Sequence, residues 1–147
     1  MEKEQGNEMI KSFFRQCRNE LRELRIMTER AEWLRASLLP AAIRYKSVDV
    51  QTSGSGDQIG DVMPEVAELD EAIREQIATL TQHQYKAQCI INGLDDTRYR
   101  QLLTLYYLDA RLLTWDQVAE EMAYELGSIY NLHGDALAAA EKTQVMK

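Results

Sequence analysis

Proline and glycine are scarce in this 147-residue chain, 2 and 7 residues respectively. A sandwich or barrel needs a turn at every strand junction, so this poverty favours long helices. Cysteine is equally sparse. Cys17 and Cys89 lie far apart, and neither has a Cys-x-x-Cys partner or a histidine at ligand spacing. Two free thiols in a reducing compartment are expected, with no disulfide framework. The only histidines, His83 and His133, are too distant in sequence to suggest a zinc site. No P-loop, GxGxxG or HExxH occurs, so the sequence predicts no metal, no cofactor and no catalytic residue. Excess positive charge is missing as well. With 17 Lys+Arg against 24 Asp+Glu the net charge is −7, which excludes a uniformly basic nucleic-acid glove and a cationic membrane-surface protein. Long apolar runs are absent. The stretch Leu38 to Ile43 contains Pro40 and is far too short to span a bilayer. The opening Met-Glu-Lys-Glu-Gln shows no basic segment leading into an apolar one. No membrane association and a cytoplasmic location are the expectations.

What is present is charge asymmetry. Residues 1–46 carry ten basic and seven acidic side chains, residues 47–94 two and eight, and residues 95–147 five and nine. Unlike-charged segments are natural packing partners. In the first segment Ile10, Phe14, Cys17, Leu21, Leu24, Ala31 and Leu38 recur at three- and four-residue steps, the seam of a coiled coil. Phe13, Met27 and Leu34 widen the seam. On its flank Lys11, Arg15, Arg18, Arg22 and Arg25 keep the same rhythm as a basic stripe. Such a stripe reads most simply as a solvated face or a partner for acids on a second helix; its functional reading is a phosphate clamp or a grip on RNA polymerase.

The sequence predicts a long helix over 1–46 stopped by Pro40, a flexible linker over 47–61, a second long helix over 62–93 and a compact domain over 94–147. The run Gln51-Thr52-Ser53-Gly54-Ser55-Gly56-Asp57 has no periodicity. Helix is expected to resume at Pro64, with Val66, Leu69, Ile73, Ile77, Leu80, Ala87 and Ile91 as its apolar stripe and Asn92-Gly93 as its stop. The step Ile73–Ile77–Leu80 is a stutter. An antiparallel hairpin of the two helices, or a dimer of such hairpins, would satisfy the pattern. Phe14, Leu21, Leu24, Leu69, Ile73 and Ile77 are the candidate oligomerisation residues, because a lone hairpin is expected to leave Phe13, Met27, Leu34 and the Ile73–Ile77 face exposed. A homodimer is the expectation.

The last fifty residues are the most specific. Asp95-Asp96 caps a helix running from Thr97 to about Leu108, with Tyr99, Leu102, Leu103 and Tyr106 inward. Thr114-Trp115-Asp116-Gln117 reads as a capping box. From Trp115 a helix-turn-helix template fits without a gap, burying Val118, Ala119, Met122, Tyr124, Ile129 and Leu132. Ala123 holds the turn position usually given to glycine. The recognition-type helix would begin near Glu125 or Ser128 and run through about Ala140. The fold class is therefore all-α, a long helical hairpin or coiled coil followed by a helix-turn-helix domain.

These residues also carry a resemblance. Tyr99-Arg100-x-Leu102-Leu103-x-Leu105-x-Tyr107-Leu108, then Leu113-Thr114-Trp115-x-x-Val118-Ala119-x-x-Met122-x-Tyr124, then Leu132-His133-Gly134-x-Ala136-Leu137 resembles the region-4-type helix-turn-helix of sigma factors. More narrowly it is similar to the small phage-encoded regulators of Gram-positive bacteria of the ArpU and RinA late-activator type. That group also has a long N-terminal helix, a linker like Val50 to Asp57 and a second long helix. The resemblance implies a phage or prophage transcription regulator that binds promoter or operator DNA and acts in the bacterial cytoplasm, with host RNA polymerase as a further candidate partner.

One departure stands out. The family's recognition helix carries Arg or Lys at several exposed positions, whereas Glu125, Leu126, Gly127, Ser128, Tyr130, Asn131 and Asp135 occupy them here, with no basic residue between Arg111 and Lys142. Acidic side chains there oppose phosphate binding. The candidate DNA-contacting residues are Ser128, Tyr130, Asn131, His133 and Thr114, with Arg98, Arg100 and Arg111 as nearby donors. Asn131 suits an adenine edge. His133 reads first as a residue packed against the helices and second as a phosphate contact. Trp115 and Tyr124 read as core aromatics. Two functions stay open: a DNA-binding regulator, and a protein-interaction module that keeps the sigma-like fold but binds RNA polymerase or another phage or host protein.

Overall fold

The protein is known from a computed structural model, which describes the backbone of residues 2–47 and 55–145 and the side chains of residues 8–38 and 64–145. It is all-helical, with no strand among the described residues. The elements are α1 (Glu2–Ser47), α2 (Ser55–Asn92), α3 (Thr97–Leu103) running into a π turn (Thr104–Leu108), α4 (Trp115–Met122) and α5 (Leu126–Val145). No described helix is long and apolar enough to cross a membrane.

Neither proline acts as the expected boundary. α1 continues past Pro40 to Ser47, and Pro64 lies inside α2. A proline removes one backbone hydrogen bond and crowds one carbonyl four residues back. Those costs are local, and a chain with helix-forming residues on both sides can resume beyond them. Of the expected linker, residues 48–54 lie outside the described residues, and residues 55–61 are already helical. Asn92 ends α2 as expected. Gly93 follows it, where a Cβ would come within 3.1 Å of Thr143 Cγ2 on α5.

The chain forms two compact units, residues 23–78 and residues 1–22 with 79–147. In the first, Ala31, Leu34 and Val66 are buried, while Leu24, Met27, Leu69 and Ile73 are half-buried. Glu23 accepts from Gln76, and Arg30 and Arg35, two to three turns further along α1, pair with Glu65 and Asp70 further back on α2. The two segments therefore run antiparallel, basic helix against acidic helix. Ile77 is 46% exposed. The four-residue step from Ile73 carries it about 40° round the helix, off the stripe that Leu80 rejoins.

The second unit builds its core from Phe14 and Cys17 on α1, Ala87 and Ile91 on α2, Leu102 and Leu103 on α3, and Val118, Ile129, Ala136 and Ala140 on α4 and α5. Two of the candidate oligomerisation residues are thereby corrected. Phe14 is fully buried against Tyr107 within the chain, and Leu21 is buried too, so neither is available to a second copy. Leu34, expected at the surface, is also buried. Both cysteines are free thiols. Burial, with Glu20 nearby, pushes the Cys17 thiol up to about 11, which leaves it an inert core group.

The π turn changes which tyrosine faces inward. A regular helix would bring Tyr106 under Leu102 and Leu103; the widened turn admits one extra residue, so Tyr107 is buried and Tyr106 only half-buried. Asp96 caps α3 by accepting from the Arg98 amide. Thr114 and Gln117 form the capping box of α4 in both directions. Ala119 is buried, as expected where two helices cross closely, but Tyr124 is 40% exposed and not part of the core. Met122 is half-buried.

α4 ends at Ala123, which adopts the left-handed conformation (φ 59°, ψ 42°) and donates its amide back to the helix end. An alanine is strained there, and glycine is not. Ala123→Gly should raise stability by about 0.5–1 kcal/mol in urea unfolding. An unchanged or lowered midpoint would contradict this account of the turn.

Candidate nucleic-acid interface

Arg18 is the residue around which this region is assembled. It lies on α1 and is only 8% exposed. Its guanidinium donates to the carbonyls of Tyr106 at 2.6 Å and Leu113 at 2.7 Å, with Leu112 at 3.4 Å. Leu112 has a positive φ of 54°, so the chain between the π turn and α4 folds back where Arg18 can reach it. The same guanidinium sits 4.0 Å over the Tyr106 ring, and Trp115 stacks on that ring at 3.7 Å. Two groups so close cannot share a face, so Arg18 and Trp115 take opposite sides of Tyr106.

Trp115 in turn meets His133 at 4.6 Å and the edge of Tyr130 at 5.9 Å, both on α5. The Tyr107 hydroxyl and His133 Nε2 are 2.6 Å apart. Burial, reinforced by Lys11 and Arg15, holds the His133 ring neutral down to about 4. His133 is thus a packed, hydrogen-bonded ring, the first of its two expected readings. Lys11, Arg15, Asn19 and Arg22 on α1 face these aromatics across a groove of about 440 Å³.

The other expected donors are committed elsewhere. Arg98 holds Asp96 through two nitrogens and keeps that carboxyl below the usual carboxylate range. Arg111 pairs with both Asp109 and Glu121. Arg100 donates to the Leu94 and Asp95 carbonyls and to Thr97. All three expected donors thus have intramolecular partners, and the aspartates two residues upstream that hold the first two are legible in the sequence. Thr114 is exposed and its hydroxyl serves the α4 cap.

Ser128, Tyr130 and Asn131 are exposed on α5, as their positions predicted. Gly127 and Gly134 flank them, with open space where a Cβ would stand. Ser128 and Asn131 line a shallow hollow with Tyr124, Asp135 and the paired Arg98. The gathering of the α1 stripe with Trp115, Tyr130 and His133 escaped sequence reasoning. The rhythm of the stripe was legible, but nothing in it names the element that packs opposite. Compared with known proteins, the chain matches no family model, no curated protein and no solved structure.

Two outcomes follow. Arg18→Met keeps the apolar stem but strands three carbonyls, and should cost about 3 kcal/mol of stability; a loss under 1 kcal/mol would show that water replaces the guanidinium. For His133, the unfolded ring protonates near 6.5 and the folded ring only near 4, so between those values the unfolded chain binds more protons and stability rises with pH. This contribution is complete above pH 6.5 and is lost as pH falls towards 4. The unfolding midpoint should therefore drop more steeply over that window for the natural chain than for His133→Gln. Parallel curves would refute it.

Proposed function

We propose that the protein is a transcription regulator that binds duplex DNA through a sigma region-4-like helix-turn-helix formed by α4 and α5, in the manner of the phage late-gene activators its sequence resembles. One observation carries this reading. After a doubly capped α4 and a left-handed turn at Ala123, the outer face of α5 is bare: Ser128 and Asn131 stand exposed beside two glycines with open space above them. A helix without bulky outward side chains can lie deep in a major groove, and Asn131 can pair with an adenine edge. Tyr130 lies at the margin of that face. In this reading the protein acts in the bacterial cytoplasm as a homodimer, with Ile26 and Trp33, each 60% exposed and one heptad apart on α1, as the residues that meet a second copy.

The acidic surroundings favour the second reading, a module that keeps this fold and binds RNA polymerase or another phage or host protein. Glu125, just ahead of α5, and Asp135 on α5 are exposed, and Arg98 and Arg111 are already paired. Selection from a random duplex library separates the two. The DNA reader should enrich one sequence, and Asn131→Ala should weaken binding to it by about 1–3 kcal/mol while leaving affinity for unrelated duplex unchanged. Failure to enrich any sequence, or indifference to Asn131→Ala, would favour the protein-binding module.

A further inference from the structure

We infer that the groove between α1 and the aromatic edge formed by Tyr106, Trp115 and Tyr130 is a phosphate-binding site, suited to a run of phosphates such as a nucleic-acid backbone. The inference deepens the DNA-binding reading by saying where the phosphates are held, but its geometry is separate from the α5 face that would read bases.

Lys11, Arg15 and Arg22 line the groove, and none of them forms an ion pair among the described residues. The contrast with Arg98 and Arg111 is direct, since both of those are held by carboxylates. No acidic side chain lines the groove. The positive field there is strong enough that Lys11 and Arg15 help keep the His133 ring uncharged. Arg18 cannot join a ligand, because its donors are taken by backbone carbonyls; its charge nonetheless adds to the field.

The arrangement is a row. At 1.5 Å per residue, Lys11 and Arg15 are about 6 Å apart along the axis and Lys11 and Arg22 about 16 Å. A single anion would be held by converging donors, whereas a row this long fits successive phosphates. Guanidinium groups suit that ligand because they bond phosphate oxygens in pairs. The walls are aromatic and partly exposed, which limits competing water on one side of each bound phosphate. A protein so acidic overall repels polyanions elsewhere, so an uncompensated cationic row is the surface that can accept one.

The test uses the full chain with Trp33→Phe, which leaves Trp115 as the only tryptophan and therefore as a reporter in the groove wall. Its emission is followed on addition of inorganic tripolyphosphate, and separately of a short duplex of random sequence. A saturable change with both is expected. With the duplex, Arg15→Gln should make the fall of log affinity with log salt shallower by about 1, the signature of one lost phosphate contact. Arg74→Gln, an equal charge change at an exposed site outside the groove, should leave the slope unchanged. A response to tripolyphosphate alone supports the site and assigns it to a free phosphate compound in place of DNA. Response to neither ligand overturns the proposal, as does an equal effect of Arg15→Gln and Arg74→Gln. Sequence selectivity lost with Asn131→Ala while Arg15→Gln changes nothing would also overturn it, and would leave the α5 reading standing.

Discussion

A cation buried among backbone carbonyls is the contact on which the C-terminal helices depend. Removing the Arg18 guanidinium from water is costly unless its donors are satisfied. Here carbonyls from both ends of the segment 106–113 satisfy it, and a tyrosine face covers it. These partners are backbone oxygens and a ring face, drawn from the π turn and the stretch just ahead of α4. The same side chain therefore ties α1 to the π turn and the start of α4, and contributes to the potential of the groove beside it.

Much of the fold was legible because it rests on local chemistry. The Thr114 capping box, the Asp96 cap, the Asn92 stop and the need for a left-handed residue at Ala123 involve groups within a few positions of each other. The burial of Cys17 follows from helical period, and that of Ala119 and Ile129 from the spacing of the helix-turn-helix template. Misreadings arose where a distant partner decides. The stripe on α1 looked like a solvated face, yet Arg18 turns inward because carbonyls nearly ninety positions away need donors. Phe14 looked like one more seam residue, but Tyr107 claims it. The prolines were given too much authority, since a one-peptide defect is affordable in helices of 46 and 38 residues.

Charge is distributed to different ends. In residues 23–78 opposite signs meet across the helix pair, as at Arg30 and Glu65, and such exposed pairs contribute little individually. In the other unit Arg98 and Arg111, near the expected reading helix, are held by neighbouring carboxylates, while Lys11, Arg15 and Arg22 on α1 form no ion pair among the described residues. The acidic side chains expected to oppose phosphate, Glu125 and Asp135, lie beside and on α5, whereas the cations that line the groove come from α1, at the opposite end of the sequence.

The π turn can be viewed as a one-residue insertion that was absorbed by a helix instead of by a loop. Each residue advances an α-helix by about 100°, and the widened turn takes up one such step, which is why Tyr107 lies inward and Tyr106 does not. Excising Thr104 or Leu105 would return the segment to a regular turn and keep inward the ring that meets His133. A further inserted residue would find no second widened turn to absorb it, and would swing the ring that lies between Arg18 and Trp115 to a new bearing. Substitutions in this stretch alter a contact, whereas an insertion alters a phase.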